Sequence, residues 1–317
     1  MKAQSEQACA SAVMMVRPAC FGANAETSAS NRFQHPGGGD AVAAAARAES
    51  DALAALLEAR GVEVFALEDC PLPAKPDACF PNNWVSLHGD GTVVLYPMLA
   101  PNRRHERSLD LLGLLRQRGG FEVSQVIDLS HHESAGRFLE GTGSLVLDRP
   151  GRCAYACLSP RTDAGLLAEF AGELGYRSIG FRAVDGGGVP VYHTNVLMSL
   201  GERFAVLCEQ AVPDQGELAT LRASIEVSGR ELIPISLDQM QAFAGNLLQL
   251  ASSDGGRVIA VSATAWSALD AGQRRRLESH GEIAPASIPT IERHGGGSVR
   301  CMLAEVFLPR RLPGTGC

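Results

Sequence analysis

An order of short segments recurs along this chain: strand, strand, helix, strand. In "NNWVSLHGDGTVVLYPM" two β-rich runs are joined by a Gly-Asp-Gly turn. "RRHERSLDLLGLLRQRGG" follows with helical amphipathicity and ends in glycines, and "FEVSQVIDL" reads as a third strand. The same order returns in "SLVLDRPGRCAYACL", "RTDAGLLAEFAGELG" and "YRSIGFRAV". It returns again in "NVLMSLGERFAVLCEQ", a helix over residues 213–227 and "ELIPIS", and in "NLLQLASSDGGRVIAVSA", "AWSALDAGQRRRLESHG" and "EIAPASI". A fifth copy is divided between the chain ends. Its hairpin combines "SVRCMLAEVFLP" with "AVMMVRP", followed by "DAVAAAARAESDALAALLEARG" and "VEVFAL". Hairpin turns near residues 90, 150, 201 and 254 give a period of a repeat architecture. The pattern predicts an α/β fold of five ββαβ units closed in a ring, a five-bladed propeller with pseudo-fivefold symmetry. Residues 1–317 are expected to form one domain, with residues 1–12 a flexible N-terminal segment.

If rotation relates the units, equivalent positions converge on the axis. The entry to each first strand carries Asn83 in "FPNNWV", Glu140 in "LEGTGSLVL", His193 in "YHTNVLM", Asn246 in "AGNLLQL" and Cys301 in "VRCMLA". Their spacings are 57, 53, 53 and 55. A thiol, an imidazole and a carboxylate brought to one point suit nucleophilic catalysis, with Cys301 as nucleophile and His193 or Glu140 handling protons. A buried cysteine is otherwise ordinary core filling, and Cys301 would be that if it stood alone.

Composition narrows the partners. A net charge of −7, with lysine and arginine interspersed among acids and only two Trp and four Tyr beside eleven Phe, offers neither a basic stripe nor a stacking platform for nucleic acid. No apolar run approaches a membrane span, and the N-terminus lacks the apolar stretch of a signal peptide. Nine scattered cysteines fit free thiols in a reducing compartment, so a cytoplasmic location is expected. The expected partner is a small molecule, with no nucleic acid and no membrane; a homo-oligomer is left open. No metal or organic cofactor is called for, since a thiol can supply covalent activation itself.

Together, "MVRPACFGANAETSASNRFQ", "PDACFPNNWVSLHGDGTVVLYPM", "LEGTGSLVLD", "LSPRTDAGLL", "VYHTNVLMSLG", "FAGNLLQL" and "RCMLAEVFLP" cover nearly the whole chain. In these motifs the chain resembles the guanidino-group-modifying (pentein) superfamily of α/β propellers, which includes arginine deiminases, dimethylarginine hydrolases, succinylarginine dihydrolase and amidinotransferases. The arginine deiminase-related branch associated with citrulline utilisation is the nearest in pattern. The resemblance implies five ββαβ blades around a central site, and attack by Cys301 on the central carbon of a guanidino or ureido group, followed by hydrolysis of the covalent intermediate. It implies that His193 shuttles protons and that Glu140 holds a substrate nitrogen and orients the histidine. Arg103 in "APNRRHERS" and Arg161 in "SPRTD" would clamp an α-carboxylate. Asp77, in "PDACF", and Asn246 join the substrate-binding set by the same resemblance.

The departures from that pattern concern amides. Arginine deiminases carry aspartates where this chain has Asn83 and Asn195, and the Glu-Gly-Gly-Asp motif here reads Glu140, Gly141, Thr142, Gly143. A guanidinium is all donors, whereas a ureido group mixes an acceptor oxygen with donor nitrogens, and an amide can meet both. The expected substrate is therefore citrulline, yielding ornithine, ammonia and carbon dioxide, or arginine carried through both hydrolyses. Deimination of arginine, dimethylarginine hydrolysis and amidino transfer are the enzymatic alternatives; a propeller that binds without catalysis is the alternative of another class. Cys153 and Cys157 share a strand face without a second pair to make a zinc site. The histidines at 131 and 132 read as a solvated loop, His88 as a hairpin-turn residue and His294 as part of the loop before Cys301. Glycine triplets at 37–39, 186–188 and 295–297 lack a phosphate-loop frame and are expected to be mobile loops near the site mouth.

Overall fold

The computed structural model describes residues 7–311. Its elements follow the predicted order. Strand β1 (Ala12–Arg17), helix α1 (Asp40–Glu58) and β2 (Glu63–Glu68) lead to β3 (Val85–Leu87), β4 (Thr92–Leu95), α2 (Leu109–Gly119) and β5 (Gln125–Asp128). Next come α3 (Gly141–Ser144), β6 (Val146–Asp148), β7 (Cys153–Cys157), α4 (Ala164–Leu174) and β8 (Arg177–Phe181), then α5 (Thr194–Leu197), β9 (Met198–Leu200), β10 (Phe204–Leu207), α6 (Gln215–Val227) and β11 (Glu231–Pro234). The chain continues through α7 (Leu237–Gln241), β12 (Leu248–Ala251), β13 (Arg257–Ser262), α8 (Ala263–Ala268), α9 (Ala271–Glu278) and β14 (Glu282–Ala286) to α10 (Pro289–Gly295) and β15 (Ala304–Glu305).

These strands form five three-stranded sheets: β3-β4-β5, β6-β7-β8, β9-β10-β11, β12-β13-β14 and β15-β1-β2. In each, the first strand runs antiparallel to the second and the third returns parallel to it through a helical crossover. The split fifth unit is present as expected, with Val13 opposite Glu305. Local chemistry explains the punctuation. Asp90 accepts from the Thr92 amide and Gly91 takes φ +85°, which closes the β3–β4 hairpin. Asp163 caps α4 by accepting from the Leu166 amide, and Gly175 ends it in the left-handed conformation. Between those caps Leu166, Leu167, Phe170 and Leu174 are buried and pack with Ala154 and Ala156 of β7. The adjoining sheets meet through the short first strands, as where Leu87 of β3 bridges to Val306 just after β15.

The expected flexible segment falls partly outside the described residues. Within its remainder Cys9, Ala10 and Ala12 are buried, and the Ala10 carbonyl accepts from the Ala251 amide. No helix among the described residues is long and apolar enough to cross a membrane, and eight cysteines among them are free thiols.

Candidate active site

Each of the five units delivers one polar side chain from the turn that precedes its first strand. Asn83 ends the 3-10 turn Pro81–Asn83 before β3, Glu140 and His193 stand at the N-terminal ends of α3 and α5, and Asn246 precedes β12. Cys301 lies in the 3-10 turn Val299–Met302 before β15. All five are buried. Nδ2 of Asn246 lies 3.2 Å from the Cys301 sulfur, and Nδ2 of Asn195 lies 3.4 Å from it. The Asn246 orientation is forced, because its Oδ1 accepts from the Arg300 amide at 3.0 Å. Two amide donors are thus aimed at the sulfur that would attack carbon.

Nε2 of His193 is 2.8 Å from Oε2 of Glu140. Burial opposes the charge on Glu140. The Arg161 guanidinium at 3.4 Å, the His193 hydrogen bond and Arg103 at 3.9 Å outweigh burial and hold the carboxyl well below its usual range. For His193, burial wins over the carboxylate and lowers the imidazole to about 4. The pair therefore stands at neutral pH as carboxylate and neutral imidazole. Nε2–H donates to Glu140, leaving the lone pair on Nδ1. A Cβ at residue 143 would lie 2.7 Å from that Nδ1 and 2.4 Å from Nδ2 of Asn83. Gly143 thus permits the approach of two other residues, one of which would have to shift to admit a side chain.

Arg103 is engaged on every side. Its Nε and Nη2 donate to the two oxygens of Glu106, each at 2.9 Å, and its Nη1 donates to Oδ1 of Asn83 at 2.9 Å. A guanidinium has no acceptor, so Asn83 must turn its oxygen to Arg103; its NH₂ lies on the other side, where it donates to Oδ1 of Asn82 at 3.1 Å and keeps a second hydrogen. Asn195 presents the opposite polarity: its nitrogen faces Cys301, and its Oδ1 is buried with no hydrogen-bond partner among the described residues. Oδ1 of Asp77 is likewise buried and without a partner, while its Oδ2 takes Nδ2 of Asn24 at 2.8 Å.

Residues 22–38, between β1 and α1, lie across this cluster. Thr27 and Asn31 line a narrow pocket together with Asp77, Phe80, Asn83, Arg103, Arg161, Tyr192, His193, Gly295–Gly297 and Cys301. Arg161 spends its fork on this cover, through Ser30 Oγ at 2.6 Å and the Thr27 carbonyl at 3.3 Å. Asn31 donates to the carbonyls of Gly295 and Gly296, and Arg32 pairs with Asp185 at 3.2 Å. Of the three glycine triplets, 295–297 is a buried wall packed on Phe80, 186–188 forms a turn closed by Asp185, and 37–39 adjoins His294. The cover itself is the polar segment before the first triplet.

The structure brings together all nine residues singled out in the sequence. His88 belongs to the β3–β4 hairpin as expected and is buried there, with Nε2 2.8 Å from Ser86 Oγ. Cys153 and Cys157 are core thiols within an apolar cluster. Glu106, Tyr192 and the cover residues Asn24, Thr27, Ser30 and Asn31 were not singled out. Two left a trace in sequence, since Glu106 lies one 3-10 turn beyond Arg103 and Tyr192 precedes His193. The Tyr192 ring lies 4.7 Å from the His193 ring and 5.0 Å from the Arg161 guanidinium, and its hydroxyl donates to the Gly296 carbonyl at 2.6 Å.

Five ββαβ sheets with a cysteine and a histidine–carboxylate pair at their entries, and two arginines after their second strands, define the guanidino-group-modifying class, whose members act on guanidino C–N bonds through a covalent cysteine intermediate. Within that class the chain belongs to the family described as N,N dimethylarginine dimethylhydrolase, eukaryotic, whose profile matches residues 17–308. Among curated proteins none matches the chain by sequence. The fold is shared with ArgZ, an arginine dihydrolase from the ornithine-ammonia cycle in cyanobacteria, at TM-score 0.73 and 18% identity; the match covers 95% of this chain and 41% of the ArgZ chain. The substrate-bound N-terminal domain of ArgZ gives TM-score 0.72 at 17% identity, covering 94% of this chain and 99% of that domain. A dimethylarginine dimethylaminohydrolase adduct gives TM-score 0.61 at 15% identity, covering 92% and 98%.

Proposed function

We propose that the chain is a cysteine-dependent hydrolase of the guanidino or ureido group of an amino acid, arginine or citrulline, and that its five units close into a ring around the site as one domain. Cys301 attacks the central carbon. Nδ1 of His193 takes the thiol proton as the C–S bond forms and the π pair moves to nitrogen or oxygen; collapse of the adduct expels ammonia, which takes that proton from Nδ1. Water then attacks, giving a proton to Nδ1 of His193, and the C–S bond breaks. From arginine one such cycle yields citrulline; from citrulline it releases ammonia and leaves a carbamate on the side-chain nitrogen, whose C–N bond breaks with loss of carbon dioxide to give ornithine. Glu140 keeps the imidazole in the tautomer this requires and balances the imidazolium that forms.

The observation that carries this reading is the opposed polarity of the two amides beside the thiol. Asn83 offers the N–H that Asn82 does not use, because Arg103 holds its oxygen; Asn195 offers an acceptor because its nitrogen faces the sulfur. A ureido group has one acceptor oxygen and donor nitrogens, so it matches both, whereas a guanidinium leaves the Asn83 N–H facing donors. The free Oδ1 of Asp77 suits an α-ammonium group, and Arg161 an α-carboxylate that replaces Ser30 and Thr27 on its fork. A second reading, dimethylarginine hydrolysis, is favoured by the family match, with the Phe80 ring available to N-methyl groups. The free thiols support a reducing, cytoplasmic compartment.

The test is product analysis with arginine, citrulline and dimethylarginine supplied separately, with Cys301→Ser as control. Ornithine from citrulline, absent in the variant, is the expected result. Dimethylamine from dimethylarginine as the main product would favour the second reading, and no turnover of any of the three would overturn both.

A further inference from the structure

Outside the pocket, the 3-10 turn Ser130–Ala135 sets two adjacent imidazoles beside α4. The His131 and His132 ring centroids are 4.0 Å apart, Nε2 of His132 is 2.9 Å from Oε1 of Glu169, and one ligand-capable atom from each of the three side chains lies within 4.8 Å of the others. We propose that His131, His132 and Glu169 form a surface site for a divalent transition metal, and that Zn²⁺ is the ion suited to it.

Three observations support the assignment. Nδ1 of His131 is 3.0 Å from the Asp128 carbonyl, which can only accept, so Nδ1 carries the hydrogen and Nε2 keeps its lone pair. Ligating histidines are commonly oriented in this way, with the second ring nitrogen donating to a carbonyl. The 2.9 Å separation of the His132 and Glu169 ligand atoms is a few tenths of an ångström short of the roughly 3.3 Å between two ligands on a tetrahedral zinc. Two imidazoles and one carboxylate form a borderline ligand set that suits Zn²⁺ and leaves a fourth position for water, consistent with the exposure of His131 and the half-burial of the other two. The ligands come from two elements that already meet nearby: Arg137 pairs with Asp163 at the start of α4 at 3.0 Å, and the Asp163 amide donates to the Phe138 carbonyl at 2.8 Å. A metal would be a second tie between the turn that leads to Glu140 and the helix that follows Arg161. The proposal is independent of the substrate.

The experiment is Zn²⁺ uptake by equilibrium dialysis of the whole chain, in a Cys301→Ser background so that the pocket thiol takes no metal. His132→Ala and Glu169→Gln are compared in that background, with far-UV circular dichroism as the check on folding. One equivalent is expected in the parent. Its affinity should fall at least about tenfold in each variant, and Co²⁺ in place of Zn²⁺ should show ligand-field bands without sulfur-to-metal charge transfer. Uptake and affinity unchanged in both variants, or a Co²⁺ spectrum dominated by thiolate charge transfer, would overturn the proposal and leave His132 and Glu169 as a hydrogen-bonded pair only.

Discussion

Asn83 and Arg103 are joined by a single 2.9 Å hydrogen bond that decides which face an amide shows to the pocket. Both side chains are buried, and the guanidinium can only donate, so the asparagine oxygen is committed and its nitrogen is what a substrate meets. An otherwise ambivalent group thereby acquires a polarity.

Replacing Asn83 with Asp tests that polarity. The carboxylate keeps a partner in Arg103 but offers an acceptor where the amide offered a donor. Chromatographic product analysis with arginine should show the ornithine-to-citrulline ratio falling at least about tenfold, equivalent to roughly 1.4 kcal/mol of lost discrimination at the second step. An unchanged ratio would remove Asn83 from the specificity argument.

Glu106→Gln should act at a distance through the same hydrogen bond. The substitution removes the nearest carboxylate from a buried guanidinium and leaves Asp77 at 3.7 Å and Glu140 at 3.9 Å, so the loss in denaturant titrations should stay below the roughly 3–5 kcal/mol of a fully unpaired buried charge. In protein that remains folded, the released Arg103 should loosen Asn83 and shift product partition in the same direction as Asn83→Asp. A stability loss with unaltered partition would make Glu106 a purely structural partner.

Gly143→Ala places a methyl group 2.7 Å from Nδ1 of His193 and 2.4 Å from Nδ2 of Asn83, distances that require one of them to move. The expected result is a kcat reduced about 10²-fold, with stability changed by only about 1–3 kcal/mol. Steady-state kinetics with near-wild-type activity would show that His193 tolerates displacement.

The pH dependence follows from His193. Its folded value of about 4 lies below the ordinary 6.5, so between those limits the unfolded chain binds more protons than the folded one. Stability from this group is therefore complete above about pH 6.5 and is lost as pH falls toward 4, by up to about 3 kcal/mol. Glu140 adds a loss of the same sign at lower pH, where its depressed carboxyl is finally protonated. Urea midpoints measured at pH 7 and pH 5 should differ for the wild type and differ less for His193→Gln. Equal pH dependence in both would mean that the imidazole is charged in the fold.

Much of this architecture could be read from local pattern because each ββαβ unit announces itself within a few dozen residues. The Gly-Asp-Gly turn, the glycine after α4 and the amphipathic runs are all local signals, and the evenly spaced Asn83, Glu140, His193, Asn246 and Cys301 inherit their register from them. What escaped depends on contacts between distant segments. Nothing in "ANAETSASNRF" marks it as the cover over the pocket, since its partners are Asp77, Arg161 and the carbonyls of Gly295 and Gly296. Arg103 and Arg161 look alike as available cations in the sequence; only the fold reveals that Glu106 occupies one fork and the cover occupies the other.

The pairing of β1 with β15 sets the timetable of assembly. Val13 can meet Glu305 only after nearly the entire chain has been made and the intervening sheets have formed, a closure of long sequence separation that is slow compared with any hairpin in the molecule. The turn holding Cys301 leads directly into β15. During synthesis or refolding, helical and sheet signals should therefore return before reactivity at the thiol, and the nucleophile reaches its final setting when the two ends of the described chain have joined.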